Sequence, residues 1–235
     1  DIHSHILYNV DDGSATIEES IKILKKLKNI GFDNVILTPH YIKDNTYNVP
    51  NIEKLEKLEI LKEEVKNNNI DINLYLGNEI FISDSIIEDI EKGKIYTLNN
   101  TRYLLFEIPF HNQILNLEDY IYEIKLQGYI PILAHPERYT YLQKNYKLVD
   151  KLKSEGLLFQ SNYGSILGNY GKEAEKLLKY MLKKKYVNYF GTDIHHINSS
   201  FVIDNFEKIK KHIKKITGEE YYKQIIKNSD ILTED

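Results

Sequence analysis

The sequence contains no cysteine among its 235 residues. Without thiols the chain can form no disulfide, offer no thiolate to a metal and use no cysteine nucleophile. Any metal site must therefore be built from imidazole, carboxylate and other oxygen groups. Any hydrolytic reaction must likewise proceed without a thiol.

Long apolar segments are missing as well. No run of residues has the length and apolarity that crossing a bilayer requires. No charged-then-apolar leader precedes the first apolar segment. We therefore expect a cytoplasmic protein that does not insert into a membrane.

Positive charge is scarce in the sequence. Arg102 and Arg138 are the only arginines, the formal net charge is -4 and the isoelectric point is near 6.1. This balance argues against the basic surface that general nucleic-acid binding requires. We expect no nucleic-acid partner.

Short apolar segments alternate along the chain with segments whose apolar residues recur at helical spacing. The apolar segments are continuous, which is typical of strands buried on both faces, so the order predicts a parallel sheet covered by helices. The predicted strands are residues 2–7, 34–38, 72–76, 103–108, 130–134, 157–161 and 187–191. The predicted helices are one from a Thr16 cap to Gly31 and others at 51–68, 83–91, 117–127, 147–154, 171–185, 201–216 and 219–227.

An open doubly wound sheet and a closed barrel both fit a chain of this length. No Gly-x-Gly-x-x-Gly follows the first strand and no Walker A loop occurs in the sequence, which disfavours a nucleotide-binding open sheet. Polar residues stand at the C-terminal ends of at least six predicted strands, and βα loops converge at that end of a barrel. We predict one domain, residues 1–235, with an α/β fold of seven βα units in a TIM-like barrel.

The first strand carries His3 and His5, whose side chains share one face because strand residues alternate with a period of two. Two imidazoles that converge favour a metal site. Nine candidate ligands are too many for one ion and suit two or three, and nitrogen and oxygen ligation without sulfur suits manganese, iron or zinc. The candidates are His3, His5, Asp11 or Asp12, His40, Glu79, Glu107, His135, Asp193 and His195.

Charge favours a phosphate substrate for such a site. Three divalent ions bring about +6 and four carboxylates about -4, which leaves a cationic mouth on an anionic protein. Arg138 follows His135 by three residues, and a guanidinium can hold two phosphoryl oxygens at once. Metal ions of this kind can supply hydroxide at neutral pH and clamp phosphate oxygens.

Six motifs together resemble the bacterial metal-dependent protein-tyrosine phosphatases of the polymerase-and-histidinol-phosphatase (PHP) superfamily, of the CpsB/YwqE type. The resemblance runs in order up to about residue 200. The motifs are Asp-Ile-His-Ser-His (1–5), Val-Asp-Asp-Gly (10–13), Thr-Pro-His-Tyr (38–41), Gly-Asn-Glu (77–79), Ala-His-Pro-Glu-Arg-Tyr (134–139) and Thr-Asp-Ile-His (192–195).

The resemblance implies a distorted seven-stranded (βα) barrel with three divalent metal ions, manganese first and iron or zinc as alternatives. It implies that Arg138 binds the phosphate and stabilises the transition state. The implied ligands are His3, His5, Glu79 and Asp193 for the first ion, Glu79, Glu107 and His135 for the second, and Asp12, His40 and His195 for the third.

The expected reaction is hydrolysis of phosphotyrosine in a protein by direct attack of metal-held hydroxide on phosphorus. The expected partner is the tail of a bacterial tyrosine kinase that controls capsular or exopolysaccharide synthesis. Asp12 and Glu107 stand where the wider superfamily often has histidine, which favours the tyrosine-phosphatase branch. Tyr41-Ile42-Lys43 departs from the basic residues that some relatives carry there.

Two alternatives remain open at this point. One is a phosphoesterase of the same superfamily that acts on a small ester such as histidinol phosphate. The other is a metal-bound barrel without catalytic activity that serves as a binding or regulatory module. The sequence leaves the oligomeric state open.

Overall fold

The structure is a computed structural model that describes residues 1–45, 47, 49–198 and 200–233. It has an α/β fold of parallel strands and surrounding helices, as predicted. Residues 234 and 235 of the predicted domain lie outside the described residues. The strands are β1 (Asn34–Leu37), β2 (His40–Tyr41), β3 (Asn73–Leu76), β4 (Glu79–Phe81), β5 (Tyr103–Glu107), β6 (Ile130–Ala134), β7 (Leu158–Asn162) and β8 (Val187–Gly191).

Helices follow most of the strands and cover the sheet. Within the described residues, no helix combines the length and the apolar character that a membrane crossing demands. The helices are α1 (Ile17–Asn29), α2 (Asn51–Asn67), α3 (Ile86–Glu91), α4 (Leu117–Leu126), α5 (Thr140–Lys144), α6 (Tyr146–Ser154), α7 (Lys172–Lys183), α8 (Phe201–Asp204) and α9 (Phe206–Asn228), with 3-10 turns at Leu98–Asn100, Pro136–Arg138, Tyr163–Leu167 and Asp230–Leu232.

Two predicted strands continue, after a short break, into second strands that the sequence did not predict. β1 pairs with β3, and beyond the break β2 pairs with β4 in the order β2-β4-β5-β6-β7-β8, with every pair parallel. Pro39 lies between β1 and β2 in the chain. It lacks a backbone N–H and therefore interrupts the hydrogen bonding to the neighbouring strand. The side-chain amide of Asn78 donates to the Pro39 carbonyl at 3.0 Å and bridges the break. β1 and β2 together therefore occupy one strand position of the sheet, and β3 and β4 together occupy the next. We call each strand position a stave.

The prediction of a regular strand at residues 2–7 is wrong. Residues 1–5 have no regular secondary structure but lie beside β1, where the N–H groups of Ile36 and Thr38 donate to the carbonyls of Asp1 and Ser4 at 2.9 and 2.8 Å. The ladder is irregular because side chains replace backbone groups in it. The Ser4 N–H donates to the Thr38 hydroxyl at 3.1 Å.

The same N-terminal segment also bonds to the chain that leaves β8. The Asp193 N–H donates to the His3 carbonyl, and the His5 N–H donates to the Ile194 carbonyl, both at 2.9 Å. The segment therefore hydrogen-bonds both to β1 and to the chain after β8, and within the described residues it is the seventh stave of the predicted barrel.

The predicted N-cap of α1 at Thr16 is confirmed, but the Glu19 carboxylate bonds to the Ala15 N–H in place of the Thr16 N–H of the predicted capping box. The Thr16 hydroxyl accepts a hydrogen bond from the Glu19 N–H at 3.3 Å, which is the N-cap half of a capping box. Glu19 itself reaches the N–H groups of Ala15 and Ile197 at 3.0 and 2.9 Å. It thus ties the start of α1 to the loop that follows His195.

Other boundaries differ from the predictions. Helix α5 was not predicted, and the segment predicted as a helix at 201–216 begins with the separate short helix α8. The break predicted near residue 217 appears as non-helical backbone at Gly218 inside α9, with φ 75° and ψ 169°. Glycine adopts this conformation without the penalty that a Cβ carries.

Candidate metal centre

The nine predicted ligands converge at one mouth of the fold, from strand ends, from the breaks between β1 and β2 and between β3 and β4, and from neighbouring loops. The fold brings them there because parallel staves all end at the same mouth. His3 and His5 come from the N-terminal segment, Asp12 from the loop after it, His40 from β2, Glu79 from β4, Glu107 from β5, His135 from the turn after β6, and Asp193 and His195 from the segment after β8.

Two of these residues adopt backbone conformations that non-glycine residues rarely use. The φ angles are 33° at His135 and 51° at Asp193, both in the left-handed region. Such conformations cost free energy and concentrate at functional sites, where the surrounding structure enforces them. Here they occur where β6 and β8 end.

Glu79 is the centre of the cluster. Its side chain is 1% exposed. Its Oε2 atom lies 3.3 Å from His3 Nε2, 3.2 Å from His5 Nε2 and 3.2 Å from His40 Nδ1. Its Oε1 atom lies 2.8 Å from His135 Nε2. Four imidazoles thus surround one buried carboxylate.

Asp193 is a second carboxylate shared by several imidazoles. Its Oδ1 atom lies 3.6 Å from the Nε2 atoms of His3 and His5 and 3.6 Å from His195 Nδ1. Its Oδ2 atom accepts a hydrogen bond from Arg138 Nη1 at 2.7 Å. Arg138 therefore pairs with a predicted ligand and not with Glu137, its neighbour in the chain.

Asp12 and Glu107 complete the cluster from two sides. Asp12 Oδ1 lies 3.5 Å from His40 Nε2 and 3.7 Å from His195 Nε2, and Glu107 Oε1 lies 3.4 Å from His40 Nδ1. Glu107 thus groups with His40, whereas the resemblance groups it with His135. Ligand atoms within 4.8 Å of one another form four overlapping groups: His5-Asp12-His40-His195, His3-Glu79-His135, His3-His5-Asp193 and His40-Glu79-Glu107.

The donor set fits divalent cations. His40 Nδ1 is buried and has no hydrogen-bond partner among the described residues, yet it faces the oxygens of Glu79 and Glu107. Nitrogen and oxygen donors that converge in this way suit an ion of the manganese, iron or zinc type. Burial raises the cost of leaving such carboxylates and imidazoles without a cation.

Asp11 lies behind His5 and does not face the mouth. Its Oδ2 accepts from His5 Nδ1 at 2.8 Å and from the His40 N–H at 2.9 Å, and its Oδ1 accepts from the Gly13 N–H at 2.9 Å. Burial alone would raise the pKa of Asp11, but the His5 imidazole and the His40 N–H lower it to about 2. The charged carboxylate fixes the His5 tautomer and directs Nε2 into the cluster.

The electrostatics of the histidines also depend on these neighbours. Burial lowers the pKa of His3, but the charges of Glu79 and Asp193 outweigh burial and raise it. Burial and the neighbouring His5 lower the pKa of His195 to about 4, so its ring favours the neutral form that binds metals.

Sequence reasoning missed two residues at the end of β7. Gln160 Oε1 accepts from His3 Nδ1 at 2.8 Å, and Gln160 Nε2 donates to Asn162 Oδ1 at 3.0 Å. Asn162 Nδ2 donates to Asp193 Oδ2 at 2.7 Å. The signal was present, because Gln160-Ser161-Asn162 is a polar strand end like the others.

Glu137 holds the end of β7 in place through hydrogen bonds. It is fully buried, and its Oε1 accepts from the Asn162 N–H at 2.8 Å and from the Ser165 hydroxyl at 2.7 Å. Burial raises the pKa of its carboxyl group. Glu137 thus connects the turn that carries Arg138 to the end of β7.

The fold and the site define a class of protein. It is an α/β protein of parallel strands with a largely buried cluster of histidines and carboxylates that could bind metal, with an arginine at its edge.

The chain belongs to the capsular polysaccharide synthesis family CpsB/CapC, whose model matches residues 1–233. The family named from the sequence motifs is therefore confirmed. The chain is 36% identical to the protein named "Putative tyrosine-protein phosphatase CapC" of Staphylococcus aureus, over 244 aligned positions that cover 96% of this chain and 94% of the relative.

Two further relatives carry the name tyrosine-protein phosphatase. YwqE of Bacillus subtilis is 30% identical over 85% of this chain and 78% of its own length, and CpsB of Streptococcus pneumoniae is 31% identical over 85% and 84%. A solved chain from crystal structures of YwqE and CpsB, described as unique metal-dependent tyrosine phosphatases, has a TM-score of 0.90, 27% identity and coverage of 99% of this chain and 94% of its own.

Proposed function

We propose that this protein is a metal-dependent protein-tyrosine phosphatase. The observation that carries the proposal is the buried Glu79 carboxylate with four imidazole nitrogens within 3.3 Å, in a chain of the CpsB/CapC family. Solved relatives with the same fold are described as metal-dependent tyrosine phosphatases.

The proposed cofactors are three divalent ions, with manganese first and iron or zinc as alternatives. The structure contains four overlapping ligand groups, and Glu79, His3, His5 and His40 each belong to two of them. This arrangement supports more than one ion. The resemblance supplies the proposed ligands: His3, His5, Glu79 and Asp193 for one ion, Glu79, Glu107 and His135 for the second, and Asp12, His40 and His195 for the third. The ligand groups of the structure add His5 to the third set and group Glu107 with His40 and Glu79.

Bound ions would supply Lewis-acid stabilisation of phosphoryl oxygens and water of lowered pKa. Arg138 holds its guanidinium at the edge of the cluster through Asp193. Its remaining N–H groups can donate hydrogen bonds to two phosphoryl oxygens. These hydrogen bonds would stabilise the negative charge that develops on the oxygens in the transition state. A phenol leaving group has a pKa of about 10, so it needs less protonation than an alkoxide.

The proposed substrate is a phosphotyrosine-containing protein, and the proposed partner is the tail of a bacterial tyrosine kinase that regulates capsule or exopolysaccharide synthesis. The family description and the names of YwqE and CpsB support this choice. A small ester such as histidinol phosphate is the alternative substrate. We propose a cytoplasmic location, where such a kinase tail would be accessible.

Reconstitution tests the proposed function. Metal-stripped protein is loaded with manganese, ferrous iron or zinc, the bound metal is counted by elemental analysis, and kcat/KM is compared for a phosphotyrosyl peptide and histidinol phosphate. We expect two or three ions per chain and a clear preference for the peptide.

Matched variants sharpen that test. Glu79→Gln removes the shared charge and should lower kcat/KM by about 100-fold or more, since one electrostatic contact at a reacting centre is worth about 10²–10³. Glu123→Gln, on the exposed face of α4, serves as the control. Preference for histidinol phosphate would replace the substrate assignment. Absence of any phosphoester turnover by the metal-loaded protein would leave the non-catalytic module as the better description.

A further inference from the structure

Two aromatic rings enclose the guanidinium of Arg138. Its Cζ atom lies 4.8 Å from the centroid of the Phe110 ring and 4.5 Å from that of Tyr170. Phe110 also stacks on His135, with centroids 5.6 Å apart and an interplanar angle of 19°. The guanidinium thus lies over both rings, and its Nη1 donates a hydrogen bond to Asp193 Oδ2. The guanidinium edges that face neither the rings nor Asp193 remain able to donate to a ligand.

A pocket of about 430 Å³ opens beside this arrangement, within the size range of small-molecule sites. Its lining combines Asp193 and His195 of the candidate metal centre with other polar residues and with apolar side chains. Its described lining includes Arg138, Tyr170, Asp193, His195, Asn198 and Phe201. We call it the Tyr170 pocket.

We propose that the Tyr170 pocket binds the aromatic ring of the substrate and that Tyr170 is a specificity-determining residue for aryl phosphates over alkyl phosphates. The inference rests on the proposed function. Arg138 belongs both to the proposed phosphate site and to the pocket wall, so a phosphoryl group held by Arg138 lies next to the pocket. Its ester substituent then has a space to enter beside Tyr170, lined by polar groups and by the apolar side chains of Ile194, Phe201 and Val202.

Tyr170 is suited to this contact because its ring is already fixed. One face stacks on the Arg138 guanidinium at 4.5 Å, an arrangement that cation–π attraction stabilises. The side chain is half-buried and borders the pocket. A fixed ring loses little conformational entropy when a second ring packs in offset or edge-to-face geometry against it.

Tyr47 offers a competing position for the ring. It stacks on His40 with centroids 5.8 Å apart and an interplanar angle of 17°. A substrate ring beside His40 would make Tyr47 the residue that sets selectivity. The test therefore includes both tyrosines.

The test measures binding without turnover. Calorimetry on the metal-loaded protein gives Kd for phenylphosphonate and for methylphosphonate, two non-hydrolysable probes that differ in the aromatic ring. In wild type, phenylphosphonate should bind more tightly. Tyr170→Leu should shrink the ratio of the two Kd values by about threefold to tenfold, which is the range for an aromatic pair. Tyr170→Phe should retain the wild-type ratio.

Tyr122→Leu is the matched control, because Tyr122 is 63% exposed on α4, outside the pocket lining. If Tyr170→Leu fails to fold, Phe201→Ala on the pocket wall should shrink the ratio instead. An unchanged ratio in the folded variants would overturn the inference, and so would a ratio that falls only in Tyr47→Leu. Phosphotyrosine turnover by wild type is measured separately, so its absence contradicts the proposed function and not the pocket assignment.

Discussion

Asp11 and Asp12 are neighbours in the chain with different surroundings. Asp11 is buried and accepts three hydrogen bonds, one of them from His5. Asp12 has a side chain that is 48% exposed and faces His40 and His195 at 3.5 and 3.7 Å. We therefore propose Asp12 as the ligand and Asp11 as the residue that orients His5.

This difference predicts different effects on metal binding. Asp11→Asn places an amide where only acceptors fit, and we expect metal affinity to fall about 10–100-fold without a change in the number of ions at saturation. Asp12→Asn should lower that number by one. Titration calorimetry with elemental analysis measures both. The reverse pattern would assign the ligand to Asp11.

Lys54 on α2 is an unusual residue for a core. It is fully buried, its Nζ atom has no hydrogen-bond partner among the described residues, and it lies 5.8 Å from the centroid of the Tyr41 ring. Burial lowers the pKa of Lys54 from 10.5 to about 8. The protonated form is thus disfavoured in the folded state.

The sign of the resulting pH dependence follows from linkage. Between pH 8 and 10.5 the unfolded chain holds the Lys54 proton and the folded chain releases it, so this group makes stability rise with pH. Below pH 8 its charge costs up to about 3 kcal/mol. Lys54→Met should therefore stabilise the protein at pH 7, and its advantage should shrink by pH 9.5.

Urea unfolding at pH 7 and pH 9.5 measures this difference. Lys66→Met, an exposed change on the same helix, is the control. Its difference from wild type in the free energy of unfolding should be the same at both pH values. A Lys54→Met variant that is less stable than wild type at pH 7 would show that Lys54 makes a compensating interaction.

At the scale of elements, the site depends on how closely the N-terminal segment approaches β8. A Cβ built on Gly191 would lie 2.6 Å from His3 Cβ and 2.8 Å from Gln160 Nε2. The first contact involves an atom fixed to the backbone and cannot be relieved by a side-chain rotation. Glycine at the end of β8 therefore allows His3 to reach its place.

Gly191→Ala should lower the free energy of unfolding by about 1–3 kcal/mol, the usual cost of overpacking, and should weaken metal binding through His3. Urea unfolding and metal titration measure the two effects. Gly164→Ala is the matched control, because a Cβ there would lie farther from its neighbours, at 3.2–3.3 Å from atoms of Asn169 and Val202. Equal losses in both variants would contradict a special role for the β8 contact.

At the scale of the whole molecule, the centre joins elements from both ends of the chain. Glu79, Asp193 and Glu107 are buried carboxylates drawn from three different staves. Mutual repulsion among them opposes the closed ring unless cations balance it. Stability and metal content should therefore be linked.

Metal removal should lower the melting temperature. Ligand that binds only the folded state at about 100 times its Kd adds about 2.7 kcal/mol per site, which corresponds to about 5–10 °C for a chain of this size. Differential scanning calorimetry of chelated and manganese-loaded protein measures the shift. Calcium prefers sites made only of oxygen ligands, so adding calcium to the chelated protein should raise the melting temperature less than adding manganese does. Equal melting temperatures would contradict the linkage.

Local patterns made much of the fold predictable. Six predicted strands begin and end within one residue of β1, β3, β5, β6, β7 and β8, because continuous apolar segments and flanking turns act over short range. Period-two alternation and the position of polar residues at strand ends are enough to identify His3, His5, Glu79 and His135 as candidate ligands. Prolyl and side-chain interruptions, such as Pro39 in the β1–β2 stave, are not visible in a pattern of hydrophobicity.

The sequence by itself determined the chemistry that is possible: no thiol, many imidazoles and carboxylates at strand ends, and one arginine near them. Only the tertiary structure decided that Gln160 supports His3, that Asp11 holds His5 and that Tyr170 covers Arg138. The physical reason is distance along the chain. His3 and Gln160 are 157 residues apart, and no local pattern encodes a hydrogen bond that exists only after the ring of staves is joined.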